Sequence, residues 1–518
     1  MRPAFVGLLR ATFLLAGAAL MLMSQLSHAD EHVIDTKQGS IKVETVADGL
    51  DYPWGIAFLP DGRMLVTERP GRLRIVAKDG SKSEPLKGVP AVFAQGQGGL
   101  LDVALDPRFA DNGLVYLSYS EPGEDGAGTA VARGKLGDSS IDNVEVIFRQ
   151  HPKVSGGNHF GSRLVFAPDG KLFVTLGERF TFETAQDLSN HLGKIVRVNP
   201  DGSVPGDNPF VEKKGAMPEI WSYGHRNPQG AAINPKTGKL WEAEFGPMGG
   251  DELNIPEAGR NYGWPVVSWG KHYDGRPIPP PPTHPEFADA IYHWNPVISP
   301  SGIMFYTADA IPGWKGNLLL AGLSSEAIVR LTLDGDKVTG EERIPMGVRM
   351  RDVVQGPDGA VYGLTDESSG KILKFTQVEK RGCMSQRGLS LGLFGRFGRS
   401  AELRELDKAL RSVDLHPNLV PESVKLTTVG LLREHAHDAE SAPDSYRAAA
   451  EIIAYCMLGA DAFVHANDAR LALGVERRIE AALDIGTSLD AKLVLLTLHA
   501  KLIQPSVVDY FRLEAVSD

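Results

Sequence analysis

The segment Gly156-Gly157-Asn158-His159-Phe160-Gly161-Ser162-Arg163-Leu164, continued by Val165-Phe166-Ala167-Pro168-Asp169-Gly170-Lys171-Leu172-Phe173-Val174-Thr175 and closed by Gly177-Glu178, reads as a strand, a Pro-Asp-Gly turn and a second strand. A hairpin of this length returns the chain beside itself. His159 at the head of one strand and Glu178 at the foot of the next then come to the same sheet edge. A histidine oriented by a carboxylate is a candidate general base.

The same phrase recurs along the chain. Its copies begin at Gly55-Ile56-Ala57-Phe58-Leu59-Pro60-Asp61-Gly62, at Leu101-Asp102-Val103-Ala104-Leu105, at the hairpin above, at Gly230-Ala231-Ala232-Ile233, at Gly302-Ile303-Met304-Phe305 and at Asp352-Val353-Val354-Gln355-Gly356-Pro357-Asp358-Gly359. Several copies add a further short strand, as at Leu73-Arg74-Ile75-Val76, Ile195-Val196-Arg197-Val198, Ala327-Ile328-Val329-Arg330-Leu331 and Lys371-Ile372-Leu373-Lys374-Phe375. Repeated multistranded units punctuated by Gly and Pro are the signature of a β-propeller, and six copies predict six blades. One blade cannot cover both of its faces, whereas stacking around a ring does so. The composition agrees: 57 glycines and 34 prolines suit short strands and tight turns.

After Phe375 the pattern changes to helical spacing, as in Ala401 to Leu410, Val424 to Glu434, Tyr446 to Leu458, Val475 to Leu483 and Ala491 to Leu502. The expected organisation is a signal peptide over 1–29, a six-bladed propeller over 38–378, a linker over 379–399 and a small, mostly α-helical appendage over 400–518. The leader has Arg2 and Arg10, an apolar run from Ala11 to Met23, and small residues in Ser27-His28-Ala29. That run is short and a cleavage site follows it, so export to a periplasm is expected, with no membrane span after cleavage. The two cysteines, Cys383 and Cys456, both lie in the C-terminal part, so the propeller must stand without disulfides. A net charge of −11 excludes a typical nucleic-acid binder.

Polar clusters precede the first strand of several copies: Gln95-Gly96-Gln97-Gly98-Gly99, His159, Tyr223-Gly224-His225-Arg226-Asn227 and Arg349-Met350-Arg351. A common offset places them on one face of the ring, near the axis. Arg349 and Arg351 alternate on an extended strand and are expected to point the same way. With Arg226 they make an anion site suited to a ligand bearing several carboxylates. Between the fourth and fifth copies, Glu244-Phe245-Gly246-Pro247-Met248-Gly249-Gly250-Asp251-Glu252 offers hard oxygen ligands suited to Ca²⁺. The proline-dense stretch Arg276 to Pro285 is expected to cover a blade or wall the pocket.

On these motifs residues 40–376 resemble the soluble aldose and glucose dehydrogenases that depend on pyrroloquinoline quinone (PQQ), which are exported six-bladed propellers. The resemblance implies that His159 is the base and Glu178 the acid that orients it. It implies that Gln97, Arg226, Asn227, Tyr273, Arg349 and Arg351 contact PQQ. It also implies that Gly246 and Pro247 give carbonyls to the cofactor's Ca²⁺, and that Glu252 and Tyr262 hold a second calcium. The implied reaction oxidises an aldose at C1 to a lactone and passes electrons to an external quinone or cytochrome. The sequence departs at Gly322-Leu323-Ser324-Ser325-Glu326, where relatives often carry a lysine near the quinone. Two other functions stay open on the residues alone. One is a calcium-dependent, lactonase-like hydrolase, which needs carboxylates converging on the axis. The other is a non-catalytic carbohydrate-binding propeller.

Overall fold

The computed structural model describes residues 31–378, 401–435, 442–485, 488–500, 502–511 and 513. The expected signal peptide, the linker 379–399 and Cys383 lie outside the described residues. The chain divides into two compact units, with the break between residues 382 and 383.

The first unit is a six-bladed propeller. Its blades start with the strands Pro53–Phe58, Leu100–Leu105, Gly161–Phe166, Pro228–Ile233, Pro300–Phe305 and Met350–Gln355, one for each repeat. Every blade continues antiparallel into a second and a third strand. The first blade has three strands, one fewer than each of the second to fifth blades. Its outer edge along Arg72–Val76 is partly covered by the segment after it, where Ser83 N donates to Ile75 O at 2.8 Å and Leu86 N to Leu73 O at 2.8 Å.

The turns explain why the hairpins recur. In Pro60-Asp61-Gly62, Pro168-Asp169-Gly170 and Pro357-Asp358-Gly359 the Asp side chain accepts the amide two residues on, at 2.9, 3.1 and 3.1 Å. The glycine takes φ of +86°, +80° and +77°, conformations that side-chain-bearing residues rarely adopt.

A feature the repeats did not reveal is a register shift at the start of the first hairpin of all six blades. Such a bulge breaks strict alternation and re-aims the residues beside it. The ring is closed by Gly39–Leu50, which pairs with Gly370–Gln377 and so makes the chain's first long strand the fourth strand of its last blade, with Glu31–Thr36 paired outside it as a fifth.

The core lies between blades. Separate apolar clusters fill the interfaces, for example Leu65, Leu73, Leu117 and Ala132 between the first and second, and Val174, Val196, Tyr116 and Phe148 between the second and third. The closing interface, between sixth and first, holds Leu364, Ile372, Ile56 and Val66. The proline-dense loop places Ile278 against Ala185 and Trp264, and Ser268 N donates to Pro279 O at 3.0 Å. It therefore buttresses the loops on the blade-entry face.

The second unit is helical. It contains Ala401–Ser412, Glu422–His435, Ala442–Leu458, Ala460–Ala466, Ala469–Ile485, Leu489–His499 and Pro505–Phe511. One apolar cluster, including Leu406, Leu410, Ile453, Phe463, Ile479 and Leu493, forms its core. Cys456 is buried there.

Candidate active site

His159 and Glu178 meet as the hairpin predicts. His159 Nδ1 lies 2.6 Å from Glu178 Oε2, and both side chains are buried. A carboxylate can only accept, so Nδ1 carries the proton and Nε2 is left as the acceptor. His159 has φ +57°, an unusual conformation for a side-chain-bearing residue. Gly177 allows it, because a Cβ there would collide with the His159 carbonyl. Burial pushes the His159 pKa down. The Glu178 partner pulls it back, and the charges of Arg226 and Arg179 add to the lowering. The imidazole is therefore neutral at pH 7, as a base must be.

Gln97 ties His159 to its neighbours. Its Oε1 accepts from His159 N at 3.1 Å, Asn227 Nδ2 at 3.2 Å and Gln229 Nε2 at 3.4 Å. The line continues from Arg351 Nη1 to Gln229 Oε1 at 2.7 Å, and from Arg351 Nη2 to Asp366 Oδ1 at 3.0 Å. Arg349 Nε reaches the other oxygen of Asp366 at 3.0 Å. Gln97, His159, Asn227, Arg349 and Arg351 thus belong to one network drawn from four blades. The expected alternation of Arg349 and Arg351 is altered by the bulge between Met350 and Asp352. Arg351 is buried and the Arg349 side chain is 48% exposed, and they meet by sharing Asp366.

Arg226 is buried beside this network. Its Nη2 donates to Tyr273 Oη at 2.9 Å, its Nη1 to the carbonyls of Phe245 and Gly246 at 3.1 and 2.8 Å, and its buried Nε has no partner. The Gly246 carbonyl expected to face calcium therefore takes a guanidinium here, and Pro247 follows it, buried. Asp251 does not act as a free oxygen ligand. It accepts from Gly246 N at 2.8 Å, Ile298 N at 2.8 Å and Ser299 N at 2.7 Å, which fixes the loop.

Glu252, half-buried, belongs to a different group with the buried Glu242, Glu244, His225 and Asn254. His225 Nδ1 lies 3.2 Å from Glu244 Oε1 and 3.5 Å from Glu242 Oε1. Burial opposes a charged His225, but its two carboxylate partners outweigh burial and push its pKa up to about 9. Burial and the nearby Glu244 hold Glu252 well above the usual carboxylate range. The group gathers three carboxyls around one imidazole, and Glu242 Oε2 and Asn254 Oδ1 have no partner. That donor chemistry fits a hard divalent cation. The Tyr262 ring stacks on His225 at 4.9 Å, but its hydroxyl donates to Ile255 O at 2.6 Å, so the side-chain oxygen is spent elsewhere.

Several residues of the site were missed in the sequence. Asp366, Glu244 and Glu178 all lie within two residues of the end of a blade's second strand, as does Glu68 in the first blade. That shared register is the signal that would have found Asp366 and Glu244. Arg179 has no such signal. It is buried and donates to the carbonyls of Asn158, Gly156 and Val154, and its guanidinium lies 3.7 Å from the centre of the Phe160 ring. Where relatives often carry a lysine, Ser324 is exposed, and the buried Ser325 Oγ has no partner.

On the axis below the network, Arg163 Nη1 bridges Asp102 at 3.0 Å and Asp352 at 3.1 Å. Gly55 and Gly302 leave room for these acids, since a Cβ at either would strike Asp102 or Asp352.

The family model for glucose/sorbosone dehydrogenase matches residues 50–374. The aldose sugar dehydrogenase YliI of Escherichia coli is 49% identical over 343 residues, which is 65% of this chain and 92% of that protein. The apo-form crystal structure of the soluble aldose sugar dehydrogenase from Escherichia coli is 47% identical, with a TM-score of 0.63 over 65% of this chain and 100% of that one. The PQQ-bound form of the aldose sugar dehydrogenase from Streptomyces coelicolor is 30% identical, with a TM-score of 0.53 over 67% of this chain and 98% of that one.

Proposed function

Because the chain belongs to the glucose/sorbosone dehydrogenase family, we propose that it oxidises aldose sugars at C1 to lactones, with PQQ and Ca²⁺ held on the blade-entry face and an external quinone or cytochrome taking the electrons. The observation that carries this reading is the buried His159–Glu178 pair beside an arginine whose Nε is unpartnered. Arg226, Arg349 and Arg351 fit a polycarboxylate ligand, with Gln97, Asn227 and Tyr273 around them. Gly246 and Pro247 would hold the cofactor's calcium, with Arg226 giving up the Gly246 carbonyl to it. A second calcium suits the acidic group containing Glu252 and lying against Tyr262.

PQQ, when bound, supplies the two-electron acceptor for the C1 hydride, and calcium supplies a Lewis acid beside it. The chain's own part is proton transfer and positioning. His159 Nε2 takes the proton of the C1 hydroxyl as C1 loses its hydride, which leaves the carbonyl of the lactone. Glu178 then faces an imidazolium at 2.6 Å and stabilises it. The leader over 1–29 supports export, so we place the reaction in a periplasm. A lactonase-like hydrolase needs open carboxylates at the axis, and both axial acids are tied to Arg163.

Reconstitution of the full chain with PQQ and Ca²⁺ should give quinone absorbance and aldose-dependent bleaching of an artificial acceptor. His159→Gln should keep PQQ binding and lose about 10²–10⁴-fold in turnover, the usual contribution of a general base. An unchanged rate in His159→Gln would overturn the assignment.

A further inference from the structure

Beside the base stands an aromatic residue that folding does not explain. Phe180 is 47% exposed and has φ +65°, next to Arg179 at φ +57°. Left-handed backbone is costly for a residue with a side chain, and half-exposure forfeits much of what burying a phenyl ring would return. Glycine or asparagine would make this turn more cheaply. Strain of this kind at a site points toward function.

The turn that carries Phe180 is rigid. Phe180 N donates to Glu178 Oε2 at 3.1 Å, and Thr181 Oγ1 donates to Glu178 O at 2.6 Å. Arg179, immediately before Phe180, is locked onto the carbonyls of Gly156 and Val154. The ring is thus held in place without being buried. Its centroid lies 5.2 Å from the His159 imidazole, tilted by 59°. Behind it, Phe182 packs edge-on at 4.9 Å, and Trp264 packs on Phe182 at 5.4 Å. At Trp264 this arc meets the Arg226 guanidinium, 5.3 Å from the ring centre. Phe180, the arc's exposed member, offers an apolar surface beside the imidazole, whose Nε2 is left to accept.

We propose that Phe180, backed by Phe182 and Trp264, is the platform against which the substrate lays the C–H face of its pyranose ring while its C1 hydroxyl meets His159. This rests on the dehydrogenase reading above. With the two rings 5.2 Å apart centre to centre, a sugar whose hydroxyl meets the imidazole is brought close to Phe180. The ligand class is an aldopyranose with at least one face of axial C–H bonds. Aromatic stacking is worth about 0.5–1.5 kcal/mol beyond area burial. An interaction made equally in ground and transition states changes KM and leaves kcat alone.

The test uses the full chain loaded with PQQ and Ca²⁺, with D-glucose as substrate. Phe180→Ala should raise KM about tenfold with kcat within about twofold, and Phe180→Tyr should restore the parental KM. PQQ affinity, read by absorbance titration, should be the same in all three proteins. A KM within about twofold of the parent in Phe180→Ala overturns the platform. Weakened PQQ binding in that variant also overturns it, because the ring would then be serving the cofactor. If the parent binds PQQ yet oxidises no aldose, the dehydrogenase reading itself has failed, and this inference fails with it.

Discussion

The two units bury polar groups very differently. In the helical unit the buried polar or charged residues, among those described, are Asp407, Lys425, Thr428 and Thr497, against a core rich in Leu, Ile, Val and Ala. The propeller buries His159, Glu178, Arg179, Arg226, Arg351, Asp366, Glu242 and Glu244 on its blade-entry side, and Arg163 with two aspartates on its axis. Burying charge is costly unless it is paired and hydrogen-bonded. A fold that needed only stability would have little use for this many buried charges. Their concentration in one unit separates the part of the molecule that carries chemistry from the part that shows only a packed core. The family match over residues 50–374 falls within the same unit.

The sharpest way to break that contrast is to remove a buried charge that does no chemistry. Arg163→Met should destabilise the propeller by about 3–5 kcal/mol, because Asp102 and Asp352 would be left facing each other unneutralised. All seven tryptophans, from Trp54 to Trp314, lie in the propeller, so the urea midpoint of tryptophan fluorescence reads that unit alone. An unchanged midpoint would mean that the axial triad contributes nothing to stability.

A smaller effect is expected from Arg179→Gln, which separates structural charge from electrostatic tuning. His159 faces Glu178, Arg226 and Arg179, and its pKa is pushed below the usual histidine range. Removing one positive charge raises that pKa. The base is active when neutral, so the acid limb of the kcat/KM profile should move to higher pH. A purely structural Arg179 would lower the rate without moving the limb. The same shift fixes the sign for stability. Folded His159 binds protons less readily than unfolded His159, so its contribution is present above about pH 6.5 and is lost as the pH falls through the folded value.

The smallest effect should come from the helical unit. Truncation after Val378 should leave aldose turnover within about twofold of the full chain, because every candidate site residue belongs to the propeller, a unit with its own core. It should also leave the tryptophan unfolding transition in place. Loss of turnover would show that the division of labour is false.

Much of the fold was legible because it is written locally. Gly62, Gly170 and Gly359, each two residues after a proline, give the hairpins their turns, and period-two apolar residues give the strands. The His159–Glu178 pair was legible for the same reason: one hairpin joins them. Asp366 was not, because its role appears only when two arginines converge on it across a bulged strand. Nor was the Glu242–Glu244–Glu252 group visible as one cluster, since the acids come from neighbouring strands that pair around His225. Phe180 carries no local mark either; only its strained turn in the fold sets it beside the imidazole.

The sequence by itself determined the repeat, the six blades, the face on which polar clusters gather, and the change to helices after the last blade. Only the tertiary structure decided which side chains meet across the axis, that Gly39–Leu50 closes the ring, and that Arg226 sits on the Gly246 carbonyl. Periodicity encodes how each segment presents its own faces. Partners far apart in the chain are chosen by ring closure and by a bulge in every blade, and neither leaves a local mark.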